Sequence, residues 1–342
     1  MQRLPRSKLS GTSFEIGEEL GRLSKPILKK YLSHPVYSRQ ANAWKKTYPI
    51  PELMTAAAQS FPDCWEELRG LSTGCGIDLD DVYIWNCKPD FAKTQHDSST
   101  SFAVNRLANR FIVQEIWEDP CLRPYCHLVD VRPIKRPGFL ALYTPGMLPG
   151  NSFSTSRAGL VQSVNLLDIP AVSKGVPSSI ISRSVLGCGS LLEAIDLLMS
   201  APRIGGAHHI LAWSGEFVML SIEATGFKVT VVPVSNKYAH TNHTVHNEQK
   251  NPSQAQNLLS RRRYAEVLEE LELLPDYPTE ADVLAWLRKR PGIAAPVSLE
   301  AAAEKLNPSM TVFLRCVSSK ITVQIFSSGQ SEPEKFSFSV VK

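Results

Sequence analysis

The sequence predicts an α+β protein with a four-layer αββα architecture, in which two antiparallel β-sheets stack face to face and helices cover both outer sides. Helical patterns fill the chain up to Asn86, and short β-rich segments divided by Gly/Pro turns follow Thr100. Strands that come in blocks, without β–α–β alternation, argue against a parallel doubly wound sheet. The chain has no internal repeat, low-complexity segment or obvious linker, so residues 1–342 are predicted to form one domain.

Helices are predicted where apolar residues recur at helical spacing behind a capping residue. The first pattern, residues 12–31, has Thr12 or Ser13 as its candidate N-cap and an apolar stripe from Phe14 to Leu28. Further helical patterns cover Glu52–Thr73 with a break at Pro62, Asp78–Asn86, Pro177–Leu186, Leu191–Ser200, Gln254–Leu273 and Thr279–Lys289.

Strands are predicted where short β-rich runs are bounded by turn residues. The stretch Thr94–Asp119 has the pattern of a hairpin: a polar loop, a strand, a turn at Asn105–Asn109 and a second strand that contains Phe111–Trp117. The other predicted strands are Gly138–Tyr143, Gly159–Leu166, His208–Trp213, Glu216–Glu223, Phe227–Val234, Thr311–Val317, Ile321–Ser327 and Phe336–Val341.

The composition is that of a globular protein whose charge favours no polyanionic partner. Hydrophobic residues make up 43% of the chain, and 37 basic against 33 acidic residues give a formal net charge of +4. This balance predicts neither nucleic-acid nor membrane binding, and no apolar run approaches the length of a membrane span. Seven cysteines without a CxxC pair, behind an N-terminus that lacks the apolar segment of a secretory signal, predict reduced thiols and a cytoplasmic protein.

A row of hydroxyl residues, Ser98 to Ser101, opens the first strand of the predicted hairpin. A hydroxyl at the start of a strand, with a carboxylate such as Glu118 delivered by the partner strand, forms a candidate nucleophile site. Serine clusters are also ordinary loop residues, and the pattern taken alone favours that interpretation.

The remaining polar motifs do not complete a cofactor or metal site. The glycines form neither a GxGxxG motif nor a phosphate-binding loop, so no nucleotide cofactor is predicted. His240, His243 and His246 have a spacing that suits metal ligands, but no second acidic or Cys/His cluster completes the set, and no metal is predicted. The basic run Arg261–Arg263 begins a helical pattern and is expected to lie on a solvated face.

Four short strings occur in the order in which one known family has them. They are GTSFEIG with Gly21, ELRG and DLDDV with Asn86, GVPS with Arg183, and HTNH at residues 240–243. They resemble the GTPFEIG…G, E-[IL]-R-G…D-x-x-D-[IV]…LN, GVPSxxxxR and HTNH strings of the fungal isopenicillin N acyltransferase family, whose members are acyl-coenzyme A:aminopenicillanic acid acyltransferases. That family belongs to the N-terminal-nucleophile (Ntn) hydrolases, so the resemblance implies the αββα Ntn-hydrolase fold.

The resemblance also implies a mechanism of self-activation. Family members are made as inactive precursors that cut themselves immediately before the cysteine of a Gly-Cys-Thr motif. The freed α-amino group, whose pKa lies near neutrality, then acts as the base for that same residue. An asparagine and backbone amides stabilise the oxyanion. Acyl-coenzyme A is implied as a co-substrate, and no bound cofactor is expected.

Carried over by position, Ser99 falls on the nucleophile and Ser98 on the residue before the cut. Cleavage there would give a small chain, residues 1–98, and a large chain, residues 99–342. Trp117-Glu118 falls on the family's Trp-Asp pair, whose acid assists processing and orients the amine, and Asn242 falls on the oxyanion asparagine. The residues expected to line the substrate pocket or to assist processing are Asp97, Ser98, Thr100, Trp117, Arg183 and His243.

The chain departs from the family pattern at the site itself, with Ser99 for cysteine, Ser98 for glycine, Ile116 for asparagine and Glu118 for aspartate. Three hypotheses follow. The preferred one is a self-cleaving acyltransferase or amide hydrolase of secondary-metabolite biosynthesis that acts on a small-molecule amide or amine. The second is an unprocessed pathway enzyme with this fold, recruited for a different step such as cyclisation or condensation. The third is a binding protein without catalytic activity.

Overall fold

Two β-sheets lie face to face at the centre of the protein. The computed structural model describes residues 4–92, 99–106, 109–246, 257–289, 309–317, 320–327 and 333–340. The strands of this part of the chain are β1 (Arg6–Gly11), β2 (Thr100–Arg106), β3 (Asn109–Ile116), β4 (His127–Pro133), β5 (Phe139–Tyr143), β6 (Phe153–Ser156), β7 (Leu160–Leu166), β8 (Gly206–Trp213), β9 (Met219–Thr225), β10 (Val229–Pro233), β11 (Lys237–His240), β12 (Met310–Val317), β13 (Lys320–Ser327) and β14 (Glu334–Ser339).

The strands divide between two sheets of different size. The larger sheet has the spatial order β1-β4-β5-β6-β7-β8-β9-β10, and the smaller sheet has the order β11-β2-β3-β12-β13-β14. Neighbouring strands pair antiparallel, except β1 and β4, which run parallel at the edge of the larger sheet. The predicted pair of antiparallel sheets is therefore confirmed, with one parallel pairing added.

Helices cover both outer faces of the sheet pair. They are α1 (Ser13–Leu32), α2 (Pro35–Thr47), α3 (Ile50–Ser60), α4 (Pro62–Cys75), α5 (Leu79–Phe91), α6 (Ser178–Val185), α7 (Leu191–Ser200), α8 (Leu258–Glu272) and α9 (Glu280–Lys289). Among these helices, none combines the length and the apolar character needed to cross a lipid bilayer.

Three apolar clusters mark the interfaces between the layers. In the first, Leu20 and Trp85 from the helices meet Val129 of the larger sheet. In the second, which lies between the sheets, Leu142 of β5 shares a cluster with Val323 of β13. In the third, helices α8 and α9 pack on the smaller sheet through Val267, Val283, Phe102 and Phe313. The order helix, sheet, sheet, helix confirms the αββα sandwich.

Helices α1 and α4 approach so closely that their contact requires glycine. A Cβ atom added at Gly17 would lie 1.9 Å from the carbonyl oxygen of Glu67, and one at Gly70 would lie 2.0 Å from that of Phe14. Any side chain at either position would therefore force the two helix backbones apart. These glycines belong to two of the strings that carried the family resemblance, and close helix packing gives them a physical reason.

Most predicted elements are present within one or a few residues of their predicted bounds. α1 begins after Thr12, which forms a capping box with Glu15, and Pro62 separates α3 from α4 as expected. Helix α2 and strands β1, β4, β6 and β11 were not predicted. The hairpin prediction is confirmed, because β2 and β3 pair antiparallel from Thr100 opposite Glu115 to Arg106 opposite Asn109.

Candidate active site

Ser99 lies immediately before β2, on the side of the hairpin that faces the larger sheet. Alternation along β2 points Phe102 toward α8 and α9 and Ala103 toward the larger sheet. The Ser101 side chain also points toward the larger sheet, since its hydroxyl lies 2.7 Å from that of Ser163 on β7. Ser99 follows the same alternation and contacts Asn165 of β7. Asp97 and Ser98, predicted to take part in processing, lie outside the described residues.

Two side-chain amides point at the hydroxyl oxygen of Ser99. Asn165 donates from Nδ2 to Ser99 Oγ over 2.8 Å, and Asn242 donates from Nδ2 over 3.4 Å. The backbone N–H of Ser99 in turn donates to Oδ1 of Asn242 over 3.3 Å. Both the hydroxyl and the main-chain nitrogen of Ser99 are therefore held by asparagine side chains, of which the sequence analysis identified only Asn242.

Arg263 fixes the orientation of the Asn242 amide. Its guanidinium donates to Asn242 Oδ1 over 2.8 Å and to the carbonyl oxygen of Ser99 over 3.1 Å. Because a guanidinium can only donate, the atom that it contacts must be the oxygen, which leaves Nδ2 for Ser99 Oγ. The prediction that Arg263 lies on a solvated face is wrong. It is 5% exposed, and burial lowers its pKa to about 10.

The second amide is oriented from behind by a buried histidine. Nδ1 of His208 lies 3.2 Å from Oδ1 of Asn165, and Nε2 lies 2.8 Å from the hydroxyl of Ser221. The amide oxygen accepts, so Nδ1 carries the proton and Nε2 is the acceptor nitrogen, which faces the hydroxyls of Ser221 and Tyr238. Burial, and then the neighbouring His240, lower the pKa of His208 well below its ordinary value, so this tautomer is neutral. The oxygen of Asn165 faces His208, and its nitrogen faces Ser99.

Glu118 lies two residues beyond the end of β3 and shares a pocket with Ser99. Its carboxylate accepts from the hydroxyl of Thr144 over 2.6 Å and from the backbone N–H of Asp119 over 3.1 Å. Burial and the Glu118 charge both raise the pKa of the neighbouring Cys126 thiol. That thiol therefore stays protonated, and a protonated thiol is a weak nucleophile.

The pocket beside Ser99 has a volume of about 130 Å³ and lies between the sheets. Trp117 lines it, and the Trp117 ring also lies 5.8 Å from the Arg263 guanidinium. The other polar side chains on its wall include Gln114, Glu118, Thr144 and Asn242, and the apolar ones include Ile116, Leu122, Leu142, Met147, Leu148 and Leu166. The structure thus brings Ser99, Trp117, Glu118 and Asn242 to one pocket.

The other residues expected near the pocket lie elsewhere. Thr100 points toward α8, where its hydroxyl accepts from Arg263 over 3.2 Å. His243 lies beneath the Asn242 loop and contacts the Ser260 hydroxyl over 2.9 Å. Arg183 lies in the helical layer, where its guanidinium forms a buried ion pair with Glu67 over 2.7 Å. Thr100 and His243 support the site from outside, whereas Arg183 holds helices together.

The HTNH string owes its shape to a buried contact between His240 and the Glu223 carboxylate. His240 Nδ1 lies 2.7 Å from the carbonyl oxygen of Thr241, and Nε2 lies 2.9 Å from Glu223 Oε1. Although burial opposes ionisation, hydrogen bonds from His240 and from the backbone of Val245 lower the pKa of Glu223. Both ring nitrogens of His240 face oxygen atoms, one of the backbone and one of a carboxylate. The pair anchors the loop that presents Asn242.

The profile of the family described as acyl-coenzyme A:6-aminopenicillanic acid acyl-transferase matches residues 118–314. The chain belongs to this family. The resemblance drawn from the four strings is thereby confirmed. The match covers more than half of the chain and contains Glu118, Asn165, Asn242 and Arg263, while Ser99 precedes it.

A curated relative of this acyltransferase family member is the beta-alanyl-dopamine/carcinine hydrolase of Drosophila melanogaster. The two sequences are 24% identical over 231 residues, which is 58% of this chain and 58% of the relative. The chain thus spans little more than half the length of the curated relative it matches. The family description names an acyl transfer, and the relative's name describes a hydrolase.

Proposed function

We propose that this protein is an acyltransferase or amide hydrolase that uses Ser99 as its nucleophile after cleavage of the Ser98–Ser99 bond. The observation that carries the proposal is the pair of amide donors at Ser99 Oγ, 2.8 Å from Asn165 and 3.4 Å from Asn242. Donors at this place are suited to stabilise the negative charge that develops on the substrate's carbonyl oxygen, two bonds away from Oγ. Family membership and the hydrolase relative support the same class of chemistry.

Cleavage would give Ser99 its own base. Attack of Ser99 Oγ on the carbonyl carbon of Ser98 would form an ester and break the peptide C–N bond, as the hydroxyl proton passes to the leaving nitrogen. Water would then hydrolyse the ester, which leaves a carboxylate on Ser98 and restores the Ser99 hydroxyl. The backbone N–H that now donates to Asn242 Oδ1 over 3.3 Å would become an α-amine held by the same oxygen. An α-amine with a pKa near 8 can accept the Ser99 proton at neutral pH.

Acyl transfer then follows in two steps. Ser99 Oγ bonds to the carbonyl carbon of the substrate amide while its proton moves to the α-amine. The oxyanion lies beside the amide groups of Asn165 and Asn242, and collapse breaks the C–N bond as the ammonium protonates the leaving amine. Water then releases a carboxylic acid from the acyl-serine, or an acceptor amine takes the acyl group. Glu118, on the same pocket wall, supplies a negative charge that favours the ammonium form.

The substrate class that follows is a small-molecule amide, consistent with the name of the hydrolase relative. A pocket of about 130 Å³ admits one side of such a molecule at a time. We place the reaction in the biosynthesis or turnover of secondary metabolites. Acyl-coenzyme A could replace the amide as the donor of the acyl group to Ser99.

The decisive test is the intact mass of the purified protein under denaturing conditions. Two species, residues 1–98 and 99–342, are expected for the unmodified protein, and one full-length species for Ser99→Ala. Ser99→Cys keeps a nucleophile of similar size and should still cleave. A single full-length mass for the unmodified protein contradicts the mechanism, because Ser99 would then have no free amine. That result would favour the unprocessed enzyme of the second hypothesis.

A further inference from the structure

One cation lines the pocket of Ser99 without a role in the chemistry proposed above. Lys88, in the last turn of α5, contributes to the pocket wall and is half-buried. Its ammonium lies 4.8 Å from the centre of the Trp85 ring, within the range of a cation–π interaction. The amine end of a lysine is normally directed to bulk water. Here it is held over an aromatic ring at the wall of the pocket.

The ring beneath Lys88 is fixed in place. The Trp85 side chain is 1% exposed, and its indole N–H donates to the carbonyl oxygen of Pro145 over 3.0 Å. The rings of Tyr31 and Tyr37 pack against it edge-on, with centroids 5.3 and 5.2 Å away. Because the platform cannot move, the position of the Lys88 charge is defined before any ligand binds.

The charges around the pocket leave Lys88 available to a ligand. Among the described residues, Glu118 is the carboxylate on the wall, and its two oxygens already accept from Thr144 and from the Asp119 N–H. Lys88 makes no ion pair with a carboxylate within the described ranges of the chain. A half-buried ammonium beside an apolar wall attracts an anionic partner more strongly than an exposed one does, since water screens its charge only in part.

We propose that Lys88 is a specificity-determining residue and that the substrate carries a carboxylate. The inference rests on the proposed function, and it adds that the amide is flanked by an apolar group and an acidic one. The apolar part would lie against Trp117, Leu122, Met147 and Leu148, and the carboxylate would accept from the Lys88 ammonium. N-acyl amino acids and amides of dicarboxylic acids have this chemistry, and the Lys88 charge selects them over their neutral counterparts.

The test compares matched acidic and neutral probes that differ only at the carboxylate. Hexanoyl-glycine and hexanoyl-glycinamide place the charge on the amine side of the amide. Glutaryl-p-nitroanilide and valeryl-p-nitroanilide place it on the acyl side. Affinity is measured by tryptophan fluorescence or calorimetry, and kcat/KM separately by product formation, for the unmodified protein, Lys88→Met and Lys88→Glu. Lys29→Met is the control, because it also removes a last-turn helix cation, at an exposed position away from the pocket.

For one of the pairs, the acid is expected to bind about tenfold more tightly than its neutral partner. This factor lies at the low end of the effect of a charge-assisted hydrogen bond, because Lys88 is partly solvated. Lys88→Met should abolish this preference, Lys88→Glu should reverse it, and Lys29→Met should retain it. Equal affinity for both members of each pair, no binding of either acid, or a preference that survives Lys88→Met overturns the inference. Lys88-dependent binding without turnover upholds it while contradicting the proposed function.

Discussion

The side-chain amide nitrogen of Asn165 lies 2.8 Å from the hydroxyl oxygen of Ser99, although 66 positions separate the two residues in the chain. The contact joins the two sheets, because Asn165 belongs to β7 and Ser99 leads into β2. His208 Nδ1 lies 3.2 Å from Oδ1 of the same amide and prevents it from flipping. The nucleophile is therefore positioned by both sheets at once, which explains why the site lies between them.

Replacing Asn165 by alanine should lower kcat by about 10²–10³, the usual loss when one oxyanion donor is removed. Asn165→Asp keeps the size of the side chain but replaces the donor by an acceptor, so it should lose as much. Single-turnover kinetics with a chromogenic amide measure the effect on the acylation step, and KM should change little. Full activity in Asn165→Asp would show that the donor has no part in the reaction.

Arg263 and its neighbour Arg262 offer a matched comparison on one helix. Arg263→Met removes the donor to Asn242 Oδ1 and to the Ser99 carbonyl, so buried acceptors lose their partner. We expect the free energy of unfolding to fall by about 1–3 kcal/mol, together with most of the activity, because the Asn242 amide is free to flip. Chemical denaturation and kcat on the same samples measure both.

Arg262→Met is the control, because that side chain is 64% exposed and pairs with Glu266 on the helix surface. It should change the free energy of unfolding by less than about 0.5 kcal/mol and leave kcat as it was. Equal losses in the two variants would indicate that the whole basic run, and not the buried contact of Arg263, supports the site.

These two arginines show that the sequence predicts helix α8 but not which of its arginines is buried. Helical spacing predicts α8, and Arg263 falls four residues before Val267 and eight before Leu271, on the buried stripe of that helix. A run of three arginines nonetheless resembles a solvated face, because a buried guanidinium is rare unless specific acceptors await it. Those acceptors come from Ser99 and Asn242, which are distant in sequence.

Elements with a local sequence pattern were predicted, whereas elements that depend on distant parts of the chain were missed. The β2–β3 hairpin and the HTNH string are local patterns, and they bring Ser99 and Asn242 to one pocket, whereas Thr100 and His243 lie outside it. Strand β1 contains a single buried residue, Leu9, and is a strand because β4 pairs with it. Asn165 has no distinguishing neighbours in β7, so its contact with Ser99 depends on how the two sheets stack. Long-range pairing of this kind leaves no local trace in the sequence.

Arg183 should act on stability and not on catalysis, although sequence resemblance associated it with the site. Its side chain is 7% exposed and pairs with Glu67, which is fully buried. Glu67→Ala leaves that guanidinium buried without its partner and should cost about 3–5 kcal/mol of unfolding free energy. Activity per folded molecule should be retained, as judged by active-site titration below the unfolding temperature. A raised KM with unchanged stability would instead place Arg183 in substrate binding.

Acid sensitivity should arise in part from His209, which faces the helical layer from β8 and is 1% exposed. Burial, and then the nearby Arg203 charge, lower the pKa of His209 to about 3, against about 6.5 in an unfolded chain. The unfolded state therefore binds the proton more readily. The stability associated with neutral His209 is complete above pH 6.5 and is lost progressively as the pH falls toward 3.

Replacing His209 by leucine removes this titration while keeping an apolar side chain of similar size in the layer. Between pH 7.5 and pH 5, the unmodified protein should lose about 2 kcal/mol more unfolding free energy than His209→Leu, as expected for protonation of one histidine in the unfolded chain alone. Denaturant unfolding at both pH values gives the two differences. The comparison uses the change with pH and not the absolute stability, so any packing cost of leucine cancels. Parallel losses in both proteins would mean that His209 accepts a proton in the folded state and is more accessible to water than its burial indicates.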